Sequence, residues 1–306
     1  MSNKLEAINK EFEEKFHEVF QKPELIQSFL TNRSKEFDLI IIKAFKKFML
    51  EDDFAIVALG GYGRNELFPG SDIDISIIQL TKTTNKIEEI SNFIGWLWTL
   101  NVKIGHSVRT VRDIEKITKS DLKEFTSHLS SRIIFCQPAQ KNKLAKLLSG
   151  FSSGWSKSKF FKAKKKEQSE RFSSFDSTEF SLEPDLKESP GCLRDFQTAL
   201  WILEHCFEAS SLMDCTKLNL FNKKYLVSIN QSYCHIKSLR FLLNLHAKSN
   251  RISFENQLLL AQKSKLKASK KSSAVEHFMR VFFLHAAKLS DLSLIHISEP
   301  TRPSTI

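Results

Sequence analysis

Apolar residues recur at helical spacing through the first fifty positions: Phe12, Phe16, Val19 and Phe20, then Ile40, Ile41, Ala44, Phe45 and Phe48. The Lys22-Pro23 step divides them, so the pattern predicts two helices. At "FAIVALG" (54–60) it changes to a short, unbroken apolar run ending in glycine, the mark of a buried strand. "DIDISII" (72–78) alternates and is rich in isoleucine, which predicts a second strand. "KIEEISNFIGWLWTL" (86–100) predicts a helix and "NVKIGHSVRT" (101–110) a third strand. From about Val111 the strand signals stop. "DLKEFTSHLSSRIIF", "QKNKLAKLL", "WSKSKFFKAKKKEQSERF", "CLRDFQTALWILEHCF", "SLRFLLNLHAK" and "SAVEHFMRVFFLHAAKL" all carry helical period. Pro190 suits the entry to the fourth of these, with Ser189 as its expected cap.

The expected class is therefore α+β: a small mixed β-sheet with flanking helices, followed by an all-helical domain. The expected boundaries are N-terminal helices at 1–50, a sheet core at 51–115 and a helical domain at 116–291. The stretch 292–306 fits neither part. Its "LSLIHISEPTR" resembles the translation of a sequencing-library adapter, so it is expected to be non-native, the native reading frame ending near Asp291.

Composition narrows the function classes. The 306 residues are 41% hydrophobic and 26% charged, ordinary for a globular chain with real cores. No apolar run approaches the roughly eighteen residues of a membrane span, and the charged N-terminus lacks a signal-peptide core. The expectation is a cytoplasmic protein without a membrane partner. Five cysteines without CxxC or CxxH spacing argue against a zinc site and for reduced thiols. A net charge of +11 suits a polyanionic ligand. The lysines are dispersed, however, and the dense run in "SKFFKAKKKEQSER" reads as the wet face of a helix, so nucleic acid is not the expected partner.

The chemistry concentrates in "ALGGYGRNELFPGSDIDISII" (58–78), which holds four of the nine glycines within residues 60–70. Strand side chains repeat every two residues, so Asp72 and Asp74 share a face. Two adjacent carboxylates repel, and a divalent cation relieves that; Mg²⁺ takes hard oxygen ligands and keeps substrate phosphates in its other positions. Gly60 and Gly61 let the backbone turn tightly, with N–H groups facing phosphate oxygens at a helix start. A lone D-x-D is weak evidence, because surface strands often alternate acids with apolar residues; the Gly-Gly turn upstream strengthens it. Gly63 and Gly70 read as turn residues. Arg64 either touches phosphates or pairs with Glu66, and His106 is either a nucleotide contact or a structural histidine. Arg194 and Asp195 read as a structural ion pair.

Gly-Gly, a spacer and D-h-D resemble the nucleotidyltransferase superfamily typified by DNA polymerase beta. The fuller string, with "LNVKIGHSVRT", "SLEPDLKESPGCLRDFQTALWI" and "SLRFLLNLHAKSNRISFENQLLLA", is similar to the N-terminal part of PII uridylyltransferase/uridylyl-removing enzymes. The resemblance implies transfer of UMP from UTP to a tyrosine of the PII nitrogen-signalling protein, with release of pyrophosphate. It implies Mg²⁺ on Asp72 and Asp74, and phosphates cradled by Gly60, Gly61, Ser71 and Arg64. Another acceptor, or a catalytically silent nucleotide-binding module, is the alternative. Asn65 and Cys192 depart from the family's string without removing an implied ligand. Many superfamily members place a third carboxylate on a later strand; here Asp113, Asp185 and Asp195 remain the candidates. No adjacent His-Asp pair occurs in the chain. The hydrolase and glutamine-sensing domains of the family are therefore expected beyond this sequence, which would be a fragment of a bifunctional parent.

Overall fold

The computed structural model describes residues 3–81, 85–100, 102–150, 154–174, 182–209, 211–218, 220–268 and 272–294. The chain divides into two compact units, Met1–Lys10 with Ser28–Ser156 and Glu11–Gln27 with Lys157–Ile306. Helices α1 (Asn3–Gln21) and α2 (Ile26–Lys47) contribute to both, and the 3-10 turn Pro23–Leu25 separates them where Lys22-Pro23 predicts a break.

The first unit continues with β1 (Phe54–Ala58), α3 (Gly60–Gly63), β2 (Ile73–Gln79), α4 (Ile87–Trp98) and β3 (Ile104–Thr110). It ends with α5 (Val111–Ser120), α6 (Leu122–Leu129), β4 (Arg132–Phe135) and α7 (Pro138–Gly150). The sheet order is β3-β2-β1-β4. β1 runs antiparallel to β2 and β4, while β2 and β3 are parallel, with α4 as the crossover that a parallel pair requires. One face of the sheet (Ile56, Ile73, Ile75, Ile77) packs against Ile41 and Phe45 of α2 and Phe93 and Leu97 of α4. The other face (Ala55, Val57, Ile78) packs against Ile114 of α5 and Leu144 of α7. β1 is covered on both faces, which is why its sequence is an unbroken apolar run. β2 alternates at its start because only one face is covered there.

The fourth strand corrects the sequence reading, which placed "SSRIIF" at the end of a helix. α6 stops at Leu129, and Arg132–Phe135 pair with β1 at Ala58↔Arg132, Val57↔Ile133 and Ile56↔Phe135. Four residues are too few to show a period of their own, and the free edge of β1 is a partner remote in sequence. Two caps set the starts of the helices that follow β3. Thr110 and Asp113 form a capping box on α5, and the Asp121 carboxylate accepts from the N–H groups of Lys123 and Glu124 on α6.

The second unit is helical: α8 (Lys157–Ser174), α9 (Leu193–Phe207), α10 (Leu212–Lys217), α11 (Lys223–Ala247), α12 (Phe254–Lys263) and α13 (Ala274–Leu294). Phe12 meets Phe241 at 4.1 Å between ring centroids and Phe196 stacks on Tyr233 at 4.0 Å, so large aromatics build this core. On α8, Lys162, Lys165 and Lys166 are exposed, as a wet face predicts. Lys164 is the exception. It is buried, its ammonium lies 4.6 Å from the Trp201 ring and 2.6 Å from Glu167, and burial lowers its pKa.

Ser189 does not cap α9. Cys192 holds that position without a side-chain bond, while Ser189 Oγ accepts from the Asp185 N–H at 2.9 Å. Nor do Arg194 and Asp195 pair with each other. Successive helical positions point about 100° apart, and Arg194 reaches Glu188 (3.1 Å) while Asp195 meets Arg171, Gln168 and the Gly191 N–H. All five cysteines are free thiols, three of them buried. No helix among the described residues is long and apolar enough to cross a membrane. Residues 292–294 close α13, and the remainder of the expected adapter-like tail lies outside the described residues.

Candidate functional site

β1 delivers the chain to the glycine-rich turn at the end of the sheet. Leu59 is still extended (φ −117°, ψ 165°), and its N–H donates to the Asp74 carbonyl at 2.9 Å. Gly60 then turns left-handed (φ +55°), a conformation that costs a side-chain-bearing residue about 1–2 kcal/mol. One helical turn follows, closed by the Gly63 N–H on Leu59 O (2.9 Å) and the Arg64 N–H on Gly60 O (3.2 Å). The amides of Gly60, Gly61 and Tyr62 head this turn, where a helix supplies no acceptor of its own. Gly63 has a packing reason beyond turn geometry, since a Cβ there would overlap the Ser130 carbonyl oxygen. Asn65 takes the left-handed region (φ +56°), which asparagine tolerates better than most residues.

Asp72 and Asp74 emerge on one exposed face, while Ile73 and Ile75 between and after them are 1% exposed on the other. The Asp74 carboxylate sits between two glycines. A Cβ at Gly60 would stand 3.6 Å from Oδ2, and one at Gly105, the β3 partner of Asp74, would overlap Oδ1. Ser71 is half-buried just ahead of this pair, with its N–H on Phe68 O at 3.2 Å. Gly60, Gly61, Ser71, Asp72 and Asp74 therefore fall together at one end of the sheet.

Arg64 takes the ion-pair alternative: its Nε donates to Glu66 at 2.9 Å and its Nη1 to Ser130 Oγ at 3.3 Å. A Cβ on Gly61 would stand 3.8 Å from Arg64 Nη2, so the guanidinium still borders the turn. His106 pairs in register with Ile75 and so belongs to the face opposite the acids, where its ring lies 5.9 Å from Trp98. The three candidates for a further carboxylate are engaged elsewhere. Asp113 caps α5, while Asp185, which accepts the N–H groups of Lys187 and Glu188, and Asp195 belong to the second unit. Among the described residues no three His, Cys, Asp or Glu side chains are grouped to hold a metal ion.

Two features escaped the sequence reading. Gly105 is one, although an isolated glycine in a strand pattern is itself a signal of close approach. The other is a brace beneath the turn. Tyr62 is buried and donates to Asp38 Oδ1 at 2.6 Å, and Arg132 meets the same carboxylate at 2.7 and 3.1 Å. Burial next to Asp38 drives the Tyr62 pKa well above its usual value, so the phenol stays a donor. Nothing in the local pattern marks Asp38, because its partners come from α3 and β4.

The two carboxylates suit a hard divalent cation in donor type and exposure. Mg²⁺ commonly takes one or two protein carboxylates and completes its shell with water and substrate phosphates. Asp72 and Asp74 would hold it, with no third protein ligand in evidence among the described residues.

Comparison with known proteins found matches in both parts of the chain. Residues 39–136 match the nucleotidyltransferase domain family, and residues 159–296 match the family described as GlnD PII-uridylyltransferase. A bifunctional uridylyltransferase/uridylyl-removing enzyme of Hydrogenovibrio crunogenus is 32% identical over 308 residues, covering 96% of this chain and 34% of its own length. Relatives of the same description from Pseudoalteromonas translucida (33% over 285 residues) and Haemophilus influenzae (33% over 276) cover 92% and 88% of this chain, and 32% of their own lengths. The chain thus spans about a third of the curated relatives it matches.

Proposed function

We propose that this chain, which belongs to the GlnD PII-uridylyltransferase family, transfers UMP from UTP to a tyrosine hydroxyl of a PII-type signalling protein. The observation that carries the reading is the Asp74 carboxylate set between Gly60 and Gly105, with Asp72 on the same exposed face. In this reading the N–H groups at the head of α3 face the triphosphate, aided by Gly60, Gly61 and Ser71. Arg64, held by Glu66, contributes positive charge at the border of the turn. Mg²⁺ held by Asp72 and Asp74 would supply charge stabilisation for the phosphates. The tyrosine oxygen forms a bond to the α-phosphorus in line with the bond that breaks. Pyrophosphate leaves with the electron pair, and the phenolic proton passes to water. The cytoplasm is the compartment this chemistry suits.

The test is transfer of labelled UMP from UTP to PII by the full chain with Mg²⁺. Asp72→Asn and Asp74→Asn should each abolish labelling while leaving the melting temperature unchanged, because both side chains are exposed. Wild-type labelling by either variant would sink the assignment. The lack of a third acid at the site among the described residues favours one second reading, a nucleotide-binding module without catalysis. That module would bind UTP and release no pyrophosphate.

A further inference from the structure

The neighbouring strand presents a cation where a further metal-binding acid would complete the site. Val102 and Ile104 pack into the apolar cluster that holds Ile73 and Ile75. Alternation along the strand therefore turns Lys103 and Gly105 to the opposite face, the one that carries Asp72 and Asp74. The register agrees. Ile73 pairs with Ile104 and Asp74 with Gly105, and the Ile73 N–H donates to the Lys103 carbonyl at 2.8 Å. Lys103 accordingly stands beside Asp72, one strand spacing of about 4.8 Å away. It is exposed, and among the described residues it makes no ion pair and no side-chain hydrogen bond.

A carboxylate at this place would add negative charge and favour one more metal ion. An ammonium adds positive charge and favours one more anionic group. Lysine is a compact cation on a flexible four-carbon stem, suited to phosphate oxygens as a point charge. We infer that Lys103 is a substrate-binding cation of this site, contacting the phosphates beyond the α-phosphate of the bound nucleoside triphosphate. The inference rests on the nucleotide-binding reading above and adds a residue to it. It also accounts for the difference between the two exposed polar side chains of this strand segment. His106 points to the Trp98 face and has no part in phosphate binding, whereas Lys103 points to the acids.

The experiment is equilibrium binding of UTP and of UMP to the full chain, with Mg²⁺ present, for wild type, Lys103→Met, Lys103→Gln and Lys103→Arg. Lys47→Met, an exposed lysine of α2, controls for net charge. Loss of one charge-assisted contact should weaken UTP binding by about tenfold or more in the Met and Gln variants. UMP binding should stay within about twofold, and Arg should retain most of the UTP affinity, since it keeps the charge. Unchanged UTP affinity in Lys103→Met and Lys103→Gln would overturn the role of Lys103 and leave the nucleotide site standing. Equal weakening of UTP and UMP would overturn it too, because the contact would not lie beyond the α-phosphate. Wild-type protein that binds neither nucleotide while melting cooperatively would remove the nucleotide-site reading and this inference with it.

Discussion

Asp74 and Gly105 face each other across the β2–β3 ladder so closely that any Cβ on Gly105 would overlap the Asp74 carboxylate. The strand beside the acid is thus shaped to leave that carboxylate its position, and the only side chain that permits it is hydrogen.

Gly105→Ala should therefore act on Asp74 before it acts on the fold. The exposed carboxylate can swing aside, so the melting temperature should fall by only a few degrees. A displacement on the order of 1 Å at a ligand costs about 100-fold in rate. On the proposed function, UMP transfer by this variant should drop by roughly that factor, read in the same labelling assay. Full activity in Gly105→Ala would show that the position of Asp74 is not critical.

Asp195 makes the contrasting case. Its carboxylate is fully buried and held by Arg171, Gln168 and the Gly191 N–H, and burial raises its pKa despite the cation. Removing one partner of a buried pair strands the other charge, typically at about 3–5 kcal/mol. Asp195→Ala should lower the urea midpoint of the chain by a corresponding amount, whereas Asp72→Asn should stay within about 0.5 kcal/mol of wild type. Similar stabilities for these two variants would contradict the structural role of Asp195.

Acid sensitivity should come in part from two stacked histidines in the second unit. His235 on α11 and His285 on α13 lie 4.1 Å apart, with Phe20 against the former and Ser232 Oγ 3.0 Å from His285 Nδ1. Burial, aided by the charge of His285, pushes His235 well below the ordinary 6.5, and burial, aided by the charge of Lys288, pushes His285 to about 4. The unfolded chain takes up these protons near pH 6.5 and the folded chain only at lower pH. Stability from this pair is thus fully present above about pH 6.5 and is lost as pH falls towards 4. Urea unfolding at pH 7.5, 5.5 and 4.5 should show wild type losing stability faster than a His235→Phe, His285→Leu double variant. Parallel losses in the two proteins would rule out this source.

Much of the fold was legible where one rule dominates. The unbroken run of β1, the alternation of β2, the proline break after α1 and the helical period of α9 and α11 are local signatures of burial on two faces, one face or one stripe. β4 was not legible, because "RIIF" is a strand only by pairing with β1. The same distinction runs through the site. Gly-Gly and Asp-x-Asp are read from spacing, since a strand's period puts both acids on one face wherever that strand goes. Glu66 as the partner of Arg64, and Arg171 as the partner of Asp195, were not decided by spacing, because each choice depends on which side chain the packing brings near.

The sequence by itself therefore determined the class of site: a glycine turn after a buried strand, followed by two carboxylates on one face, because backbone freedom and strand period are local properties. Only the tertiary structure decided what surrounds those carboxylates. It set Gly105 against Asp74, turned Lys103 towards the acids and His106 away, and engaged Asp113, Asp185 and Asp195 elsewhere. The reason is register. Which residue of β3 stands beside Asp74 follows from how the apolar residues of two strands fill one core, and a shift of a single position would exchange the two faces.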